Sequence, residues 1–285
     1  MNLARIVLSI CIFIGVIAGC TTTQHTAGSE KSEAGLKIMS YNIRGDKPSD
    51  GVNQWENRKE DFVNLIKFYE PDIVGMQEVK PRQFEDLKEA LDDFNWIGMG
   101  ERTGEFNVIF YDSSTVALDE SSEKMLWLSE TPEKQSKGWD AAHIRVVVSG
   151  AFTHTETGKK IHIYNTHLDH KGETAKIKGS ELVLEAIQEL PEDEAVALMG
   201  DLNFTEESDS YRLLTAPDSP LQDAYYISEL PHVGPDYSFE GFKVKSNREG
   251  VRIDYIFVNE IVNVKTHSCF VQCMTHIFKF AYSAV

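Results

Sequence analysis

The chain contains 285 residues, of which 45 are Asp or Glu and 28 are Lys or Arg, so its formal net charge is −17 at pH 7. This length is sufficient for one large domain or two small domains with a substantial apolar core. The acidic balance disfavours long DNA or RNA as a ligand, because such ligands bind through Lys and Arg side chains that neutralise phosphates. It does not exclude a small phosphate ester held by a few local groups and a metal ion.

The N-terminal segment has the pattern of an export signal. It carries one Arg, no acidic residue and an apolar stretch from Ile6 to Ala18, which is short for a membrane span and typical of a signal peptide. The stretch ends in the sequence IAGC at Cys20, which resembles a bacterial lipobox. We therefore predict a lipoprotein signal peptide at 1–19 and lipidation of Cys20. The alternatives are a plain signal peptide with an incidental cysteine and an uncleaved anchor helix.

The lipobox implies an exported protein that is anchored in a membrane, at the outer membrane or the cell surface, through the lipid on Cys20. Residues 20–35 are small and polar without periodicity, which predicts a flexible tether. We expect no protein partner.

The first half of the folded part alternates strands and helices. Apolar periodicity, a Pro at a helix start and Pro71 as a stop predict five elements: a strand at 36–43, a helix at 55–70, a strand at 72–79, a helix at 81–94 and a strand at 107–111.

The second half contains neighbouring strands joined by turns. Strands at 144–152 and 160–168 flank a turn-rich connection that is typical of a hairpin. A helix at 174–190, a strand ending at Gly200, a short helix near Ser210 and a strand at 252–258 follow. Interleaved helices combined with hairpins favour an α/β fold in which two mixed β-sheets pack face to face with helices outside.

Polar residues stand where several of the apolar strands end. Each has an ordinary structural explanation: Asn42 as a turn residue, Glu78 as a helix cap or a solvated side chain, His167 as a core histidine, and Asp201 with Asn203 as an Asx turn. Their joint occurrence at strand ends favours a functional site, since loops at such ends present reactive groups.

Hydrolysis of a phosphate ester needs residues of these types. It requires a cation on the phosphate oxygens, an activated water molecule and stabilisation of the leaving oxygen. Glu78 is a hard oxygen ligand for Mg²⁺ or Mn²⁺, and Asn42 can help to hold the ion. Asp201 can accept the proton of the water, Asn203 can orient the nucleophile or the phosphate, and His167 can donate to a phosphate oxygen. Zinc fits less well, because His and Cys form no ligand cluster.

Five motifs in order, SYNIR, DIVGMQEV, NTHLDH, GDLN and RIDYIF, resemble those of the endonuclease/exonuclease/phosphatase superfamily from Leu36 to Val258. The sequence GWDAA followed by Arg145 resembles the small bacterial branch of that family. The resemblance implies a four-layer α/β sandwich at 36–267 and a Mg²⁺-dependent phosphoesterase. Its substrates would be nucleotides, short nucleic acids, or lipid or sugar phosphates.

The resemblance also implies individual roles for the site residues. Metal binding falls to Glu78 with Asn42, water activation to Asp201, orientation of the nucleophile or phosphate to Asn203, and phosphate contact to His167. Two further residues gain a role only through the resemblance. Asp254 matches a carboxylate that orients a catalytic histidine further along the chain, and Arg145, otherwise a surface hairpin residue, becomes a contact for the substrate phosphate.

The C-terminus departs from the family pattern. Members end with a Ser-Asp-His motif followed by an apolar strand, whereas this chain has no Asp after Asp254, and neither His267 nor His276 follows an Asp. We therefore expect an atypical tail at 268–285, a missing last strand and impaired activity. The alternative function is a non-catalytic lipoprotein that binds a phosphate ligand in a degenerate active site.

Overall fold

Two six-stranded mixed β-sheets face each other in the computed structural model, which describes residues 35–98, 106–239, 241–242, 250–271 and 279–284. The first sheet has the strand order β11-β12-β1-β2-β4-β3, and the second has the order β5-β6-β7-β8-β10-β9. Both sheets contain a parallel pair, β1 with β2 and β7 with β8, among antiparallel neighbours.

The strands and helices have the following bounds. The first sheet consists of β1 (Lys37–Asn42), β2 (Ile73–Val79), β3 (Phe94–Ile97), β4 (Phe106–Asp112), β11 (Thr266–Val271) and β12 (Lys279–Ala284). The second consists of β5 (Val116–Trp127), β6 (Val146–His154), β7 (Lys160–His167), β8 (Ala195–Asp201), β9 (Leu221–Asp223) and β10 (Asp254–Asn259). The helices are α1 (Trp55–Tyr69), α2 (Pro81–Ala90), α3 (Glu173–Gln188), α4 (Asp209–Leu214) and α5 (Ala224–Ile227), with a 3-10 helix at Pro48–Asn53.

Three apolar clusters define four layers. Because successive side chains of a strand point to opposite faces, Ile38 of β1 lies between the sheets whereas Met39 faces the helices. Helices α1 and α2 cover the outer face of the first sheet, with Trp55 and Phe62 fully buried. Helix α3 covers the outer face of the second sheet through residues such as Val183. The predicted four-layer α/β sandwich is confirmed.

Helix α2 and strand β5 differ from the prediction. The predicted helix at 81–94 ends at Ala90, and β3 begins at Phe94 after a turn at two consecutive Asp residues, which are poor helix formers. Strand β5 was not predicted because most of its side chains are exposed or half-buried and its pairing with β6 is irregular between Asp119 and Lys124. Such an edge strand lacks the alternation of apolar and polar residues on which a sequence prediction depends.

The expectation that the last strand is missing is wrong. Strand β12 pairs antiparallel with β1, from Tyr41 opposite Phe280 to Lys37 opposite Ala284, and with β11 on its other side. The predicted domain boundary at residue 267 falls inside β11. The physical reason is that the sequence KFAYSA is compatible with a strand, and backbone pairing does not require the Ser-Asp-His motif that is absent. Residues 272–278, which include His276, lie outside the described residues.

The predicted lipoprotein segment also lies outside the described residues, since these begin at Gly35. The predicted signal peptide, Cys20 and all but the last residue of the tether therefore stay predictions. Among the residues that the structure describes, no helix is both long enough and apolar enough to cross a membrane.

Candidate active site

The predicted site residues meet where strands of both sheets end. Asn42 ends β1 and Glu78 lies near the end of β2, while His167 and Asp201 are paired in register at the ends of β7 and β8. Asp254, the first residue of β10, is paired with Asp201 on the other side. The two facing sheets thus bring these five residues to one edge of the sandwich.

The Asn42 amide lies between two carboxylates. Its Nδ2 donates to Glu78 Oε1 at 3.0 Å and to Asp201 Oδ2 at 2.8 Å, and its Oδ1 accepts from the backbone N–H of Arg44 at 2.9 Å. One carboxylate belongs to the first sheet and the other to the second. Their oxygen atoms therefore converge on a single small volume.

Glu78 is aimed into the site by an irregularity of β2. The pairing of β2 with β4 shifts between Met76 and Val79, and Glu78 has a left-handed φ of 61°, which is unusual for a residue other than glycine. Burial by itself would raise the pKa of this carboxyl. The His167 ring, the hydrogen bonds from Asn42 and the backbone N–H of Gly45, and the Lys47 ammonium outweigh burial and lower the pKa to about 2. Glu78 is therefore ionised at neutral pH.

Asp201 and Asn203 occupy the opposite side of the same space. Asp201 is buried, its Oδ2 lies 3.8 Å from His167 Nε2, and its Oδ1 accepts from the backbone N–H of Asn203 at 3.2 Å. Asn203 has a φ of 52°, and its Nδ2 donates to the carbonyl of Leu168 at 3.0 Å. Gly200 permits this arrangement, because a Cβ atom there would lie 1.8 Å from the Thr166 carbonyl oxygen of the neighbouring strand.

Arg145 lies in the site and is buried, in contrast to the surface hairpin residue that it would be without the family resemblance. Its Nε is 3.7 Å from Asp169 Oδ2. The Asp169 carboxylate accepts backbone N–H groups of His143, Lys171 and Gly172 at 2.8–2.9 Å. Burial opposes ionisation of Asp169, but these backbone hydrogen bonds hold its pKa far below the usual range. A fixed negative charge thus orients Arg145.

Asp254 is held by Ser238. The Ser238 hydroxyl donates to Asp254 Oδ2 at 2.6 Å and accepts from the backbone N–H groups of Ile253 and Asp254 at 3.1 and 3.0 Å. The sequence did not identify Ser238. The orienting role of Asp254 stays a prediction.

A cleft of about 590 Å³ contains the site, and we call it the hydrolytic cleft. Besides Asn42, Glu78, Arg145, His167, Asp201 and Asn203, its walls include several residues that the sequence analysis did not select: Arg44, Lys47, His143, His170, Phe239, Gly241, Phe242 and Ile253. The rings of His143 and His170 stack with centroids 5.3 Å apart. Arg44 and His170 belong to the motifs SYNIR and NTHLDH and could have been found there, whereas Phe239 and Phe242 enter from a loop that precedes β10.

The donor set fits a hard divalent cation. Glu78 and Asp201 offer carboxylate oxygens that already converge on one amide, and Asn42 offers an amide oxygen after rotation of its side chain. Oxygen ligands of this kind suit Mg²⁺ or Mn²⁺. Within the described part of the chain, no group of three or more His, Cys, Asp and Glu residues could hold a metal ion, so a cation here would rely on the two carboxylates and the amide.

A family model described as "Endonuclease/Exonuclease/phosphatase family" matches residues 39–275. The chain belongs to the endonuclease/exonuclease/phosphatase family. The match includes every site residue described above and confirms the family that the five motifs indicated.

Two bacterial proteins of known structure are similar to this chain over nearly their whole length, and a human protein is similar over about half of its length. A crystal structure of an endonuclease/exonuclease/phosphatase from Bacteroides vulgatus is 32% identical, with a TM-score of 0.82, and the alignment covers 87% of this chain and 97% of that one. A mannosyl-6-phosphatase from Bacteroides thetaiotaomicron is 29% identical, with a TM-score of 0.79 and coverages of 87% and 98%. Human tyrosyl-DNA phosphodiesterase 2 is 24% identical over 190 residues, which are 65% of this chain and 47% of that protein. The match thus spans about half the length of that human relative.

Proposed function

We propose that the protein is a divalent-metal-dependent hydrolase of phosphate esters whose reaction takes place in the hydrolytic cleft. The observation that carries this proposal is the convergence of Glu78 and Asp201, from opposite sheets, on the single amide of Asn42. Two carboxylates that share one hydrogen-bond donor in a cleft repel each other when both are ionised, and a cation bound at Glu78 would relieve the repulsion.

Each residue has a definite task in this mechanism. Glu78 and Asn42 would hold Mg²⁺ or Mn²⁺, and the bound ion would supply positive charge to the phosphate oxygens. Asp201 accepts a proton from the attacking water, and Asn203 orients that water or the phosphate. His167, within 3.8 Å of Asp201, and Arg145 contact non-bridging phosphate oxygens.

Asp254 matches the family carboxylate that orients a catalytic histidine. The chain lacks the Asp-His pair of the family motif, and we expect this lack to reduce the rate of hydrolysis. A single acid, base or charge-stabilising group contributes about 10²–10⁴ in rate. The second candidate function, a phosphate-binding protein without catalysis, rests on this absence.

The deciding experiment measures hydrolysis of bis(p-nitrophenyl) phosphate and p-nitrophenyl phosphate with Mg²⁺, with Mn²⁺ and with a chelator. We expect Asp201→Asn to lower kcat by about 10²–10⁴, because it removes the proton acceptor. Asp193→Asn is the matched control, since Asp193 is an exposed residue in the turn before β8, and it should retain the activity of the natural chain. Equal background rates for the natural chain and Asp201→Asn would support the binding-only function instead.

The substrate class is a nucleotide, a short nucleic acid, or a lipid or sugar phosphate. The mannosyl-6-phosphatase relative supports a sugar phosphate, and tyrosyl-DNA phosphodiesterase 2 supports a phosphodiester. Mannose 6-phosphate and a tyrosyl oligonucleotide, assayed beside the chromogenic esters, test these two classes of substrate.

We also propose that the protein is exported and anchored in a membrane by a lipid on Cys20. The signal-like segment and the lipobox-like IAGC sequence support this location. Metabolic labelling with a radioactive fatty acid should mark the protein, and Cys20→Ser should abolish the label. Cys11→Ser is the matched control, because Cys11 lies in the segment that is removed. Labelling that persists in Cys20→Ser would contradict the proposal.

A further inference from the structure

A second cavity adjoins the hydrolytic cleft and has a different chemical character. Its volume is about 470 Å³, and we call it the lysine cavity because Lys80 and Lys137 line it. It shares four wall residues with the hydrolytic cleft, namely Glu78, His143, Arg145 and His167. A molecule bound at the hydrolytic centre could therefore extend past Arg145 into this second space.

Basic residues outnumber acidic residues in the lining of the two cavities, whereas acidic residues outnumber basic residues in the whole chain. The chain has 45 acidic and 28 basic residues, yet the two cavities together are lined by five Lys or Arg residues and only two carboxylates. The five are Arg44, Lys47, Lys80, Lys137 and Arg145, and the two are Glu78 and Asp201. Glu78 is the only carboxylate among the residues described as lining the lysine cavity, and it lies at the boundary with the hydrolytic cleft. A local excess of positive charge in a polyanionic protein attracts anionic groups to this part of the surface.

Lys137 is mounted on an ordered segment between β5 and β6. On one side, the Ser136 hydroxyl is hydrogen-bonded to Thr131 at 2.8 Å. On the other side, Gly138 packs so closely that a Cβ atom there would lie 2.4 Å from the carbonyl oxygen of Leu128. The backbone on both sides of Lys137 is therefore fixed, which reduces the entropic cost of placing its ammonium against a ligand.

The ammonium of Lys137 is also available. Within the described residues, no carboxylate pairs with Lys137, in contrast to Lys47, which lies 3.5 Å from Glu78. Its side chain is exposed at the mouth of the cavity. The buried Arg145, whose Nε lies 3.7 Å from Asp169, lines both this cavity and the hydrolytic cleft.

We infer that the lysine cavity binds a second phosphoryl group of the substrate, so that the enzyme prefers esters with two phosphoryl groups over the corresponding monophosphates. This inference rests on the proposed function, because it places the scissile phosphate in the hydrolytic cleft. Arg145 lines both spaces and would contact both phosphoryl groups, and Lys137 would contact only the second. The ring of a nucleoside or a sugar would lie between the two groups.

The test compares matched pairs of substrates at constant free Mg²⁺. The pairs are glucose 6-phosphate with glucose 1,6-bisphosphate, and a dinucleotide with the same dinucleotide carrying a 5′-phosphate. The two pairs differ from each other in the part of the molecule that joins the phosphoryl groups. They therefore distinguish a sugar phosphate substrate from a nucleic acid substrate. In at least one pair, kcat/KM should be about tenfold higher for the compound with the second phosphoryl group, as for one charge-assisted hydrogen bond.

The decisive variant is Lys137→Ala, with Lys134→Ala as its matched control. Lys134 is an exposed lysine three residues away on the same segment and does not line the lysine cavity. We expect Lys137→Ala to reduce the ratio of the two kcat/KM values about fivefold or more, through a higher KM for the compound with the second phosphoryl group. Lys137→Arg should restore most of this ratio, and Lys134→Ala should leave it unchanged. High salt should also reduce the preference of the natural chain for the compound with the second phosphoryl group.

Two results would overturn the inference: no preference in either pair, or a preference that survives in Lys137→Ala. The proposed function fails separately, if Asp201→Asn hydrolyses the monophosphates as fast as the natural chain does. Loss of activity in Asp201→Asn combined with an unchanged ratio in Lys137→Ala would contradict only the second binding site.

Discussion

The interior between the sheets and the edge where the strands end are built from the same strands but follow opposite rules. In β8, Ala197 and Met199 are fully buried among apolar residues of both sheets, whereas Asp201, two positions later, shares the Asn42 amide with a second carboxylate. The interior contains the apolar side chains that are typical of buried strands, and their burial stabilises the sandwich. The edge gathers charges that the fold itself does not require.

Backbone conformation shows the same difference. Four of the residues that line the hydrolytic cleft have a left-handed φ although they are not glycine: Arg44, Glu78, Asn203 and Phe242, with φ between 52° and 61°. Such conformations cost about 1–3 kcal/mol each and persist where the surrounding structure enforces them. We conclude that the interior provides most of the stability, whereas the strained backbone conformations at the edge reduce it. Substitutions in the two regions should therefore separate stability from activity.

The largest expected effect is on the rate, at the edge. Glu78→Gln removes a carboxylate that we assign to the metal, so kcat/KM should fall by about 10³. The loss of stability should be limited, because the amide oxygen of Gln can still accept one of the hydrogen bonds that Asn42 and Gly45 donate to Glu78. We expect Mg²⁺ to raise the Tm of the natural chain, and this increase should vanish in Glu78→Gln.

Glu89→Gln, an exposed Glu on α2, is the control for this substitution and should keep both the activity and the Mg²⁺-dependent shift in Tm. A Glu78→Gln variant that is still stabilised by Mg²⁺ would show that the ion binds elsewhere.

The next largest effect should appear in the interior, with the opposite signature. Ile163 of β7 is fully buried between the sheets, so Ile163→Ala should lower the free energy of unfolding by about 2–5 kcal/mol through lost burial and a cavity. Activity per folded molecule should stay close to that of the natural chain. Ile261→Ala, at a residue that is 47% exposed, is the control and should change stability by less than about 0.5 kcal/mol. Denaturant unfolding combined with active-site titration separates the two quantities.

Sequence reasoning succeeded where a polar residue interrupts an apolar strand. Asn42, Glu78 and Asp201 each end or nearly end a buried strand, and the strand periodicity places them at one edge. Reasoning from the sequence could not find Lys137 or Phe242, because each reaches a cavity from a loop whose path depends on tertiary contacts.

The C-terminal strand shows a second limit. The sequence prediction infers the loss of the last strand from the loss of the Ser-Asp-His motif that precedes it in the family. The motif carries chemistry, however, whereas the strand requires only a backbone and suitable side chains. Lys279–Ala284 retains the strand without the motif. The absence of catalytic residues is therefore weak evidence about the fold at that position.

A buried amide pair crosses the apolar interior directly below the edge. Gln77 Nε2 donates to Asn165 Oδ1 at 2.7 Å, and Asn165 Nδ2 donates to the carbonyls of Met76 and Val108, each at 3.0 Å. Asn165→Leu removes these three hydrogen bonds, although Gln77 Nε2 still donates to the Gly75 carbonyl, and should cost about 1–3 kcal/mol. The double variant Gln77→Leu/Asn165→Leu should cost less than the sum of the two single variants. Additive losses would mean that the pair does not act as a unit in joining the sheets.

The smallest effect concerns pH, at a polar pair that belongs to neither region. His267 of β11 is buried, and its Nδ1 lies 2.9 Å from Nδ1 of His232. Burial, followed by the neighbouring His232 ring and the Arg252 guanidinium, lowers the pKa of His267 to about 3.

The folded state therefore keeps His267 neutral at a pH where the unfolded chain takes up a proton. Because the unfolded state binds more protons between its pKa of about 6.5 and the folded value, stability should fall as the pH decreases through this window, by about 1 kcal/mol from pH 7 to pH 5.5. His267→Gln has no proton to gain, so its free energy of unfolding should depend less steeply on pH by this amount. Parallel pH dependences for the two chains, measured by denaturant unfolding, would mean that His267 is protonated as readily in the folded protein as in the unfolded one.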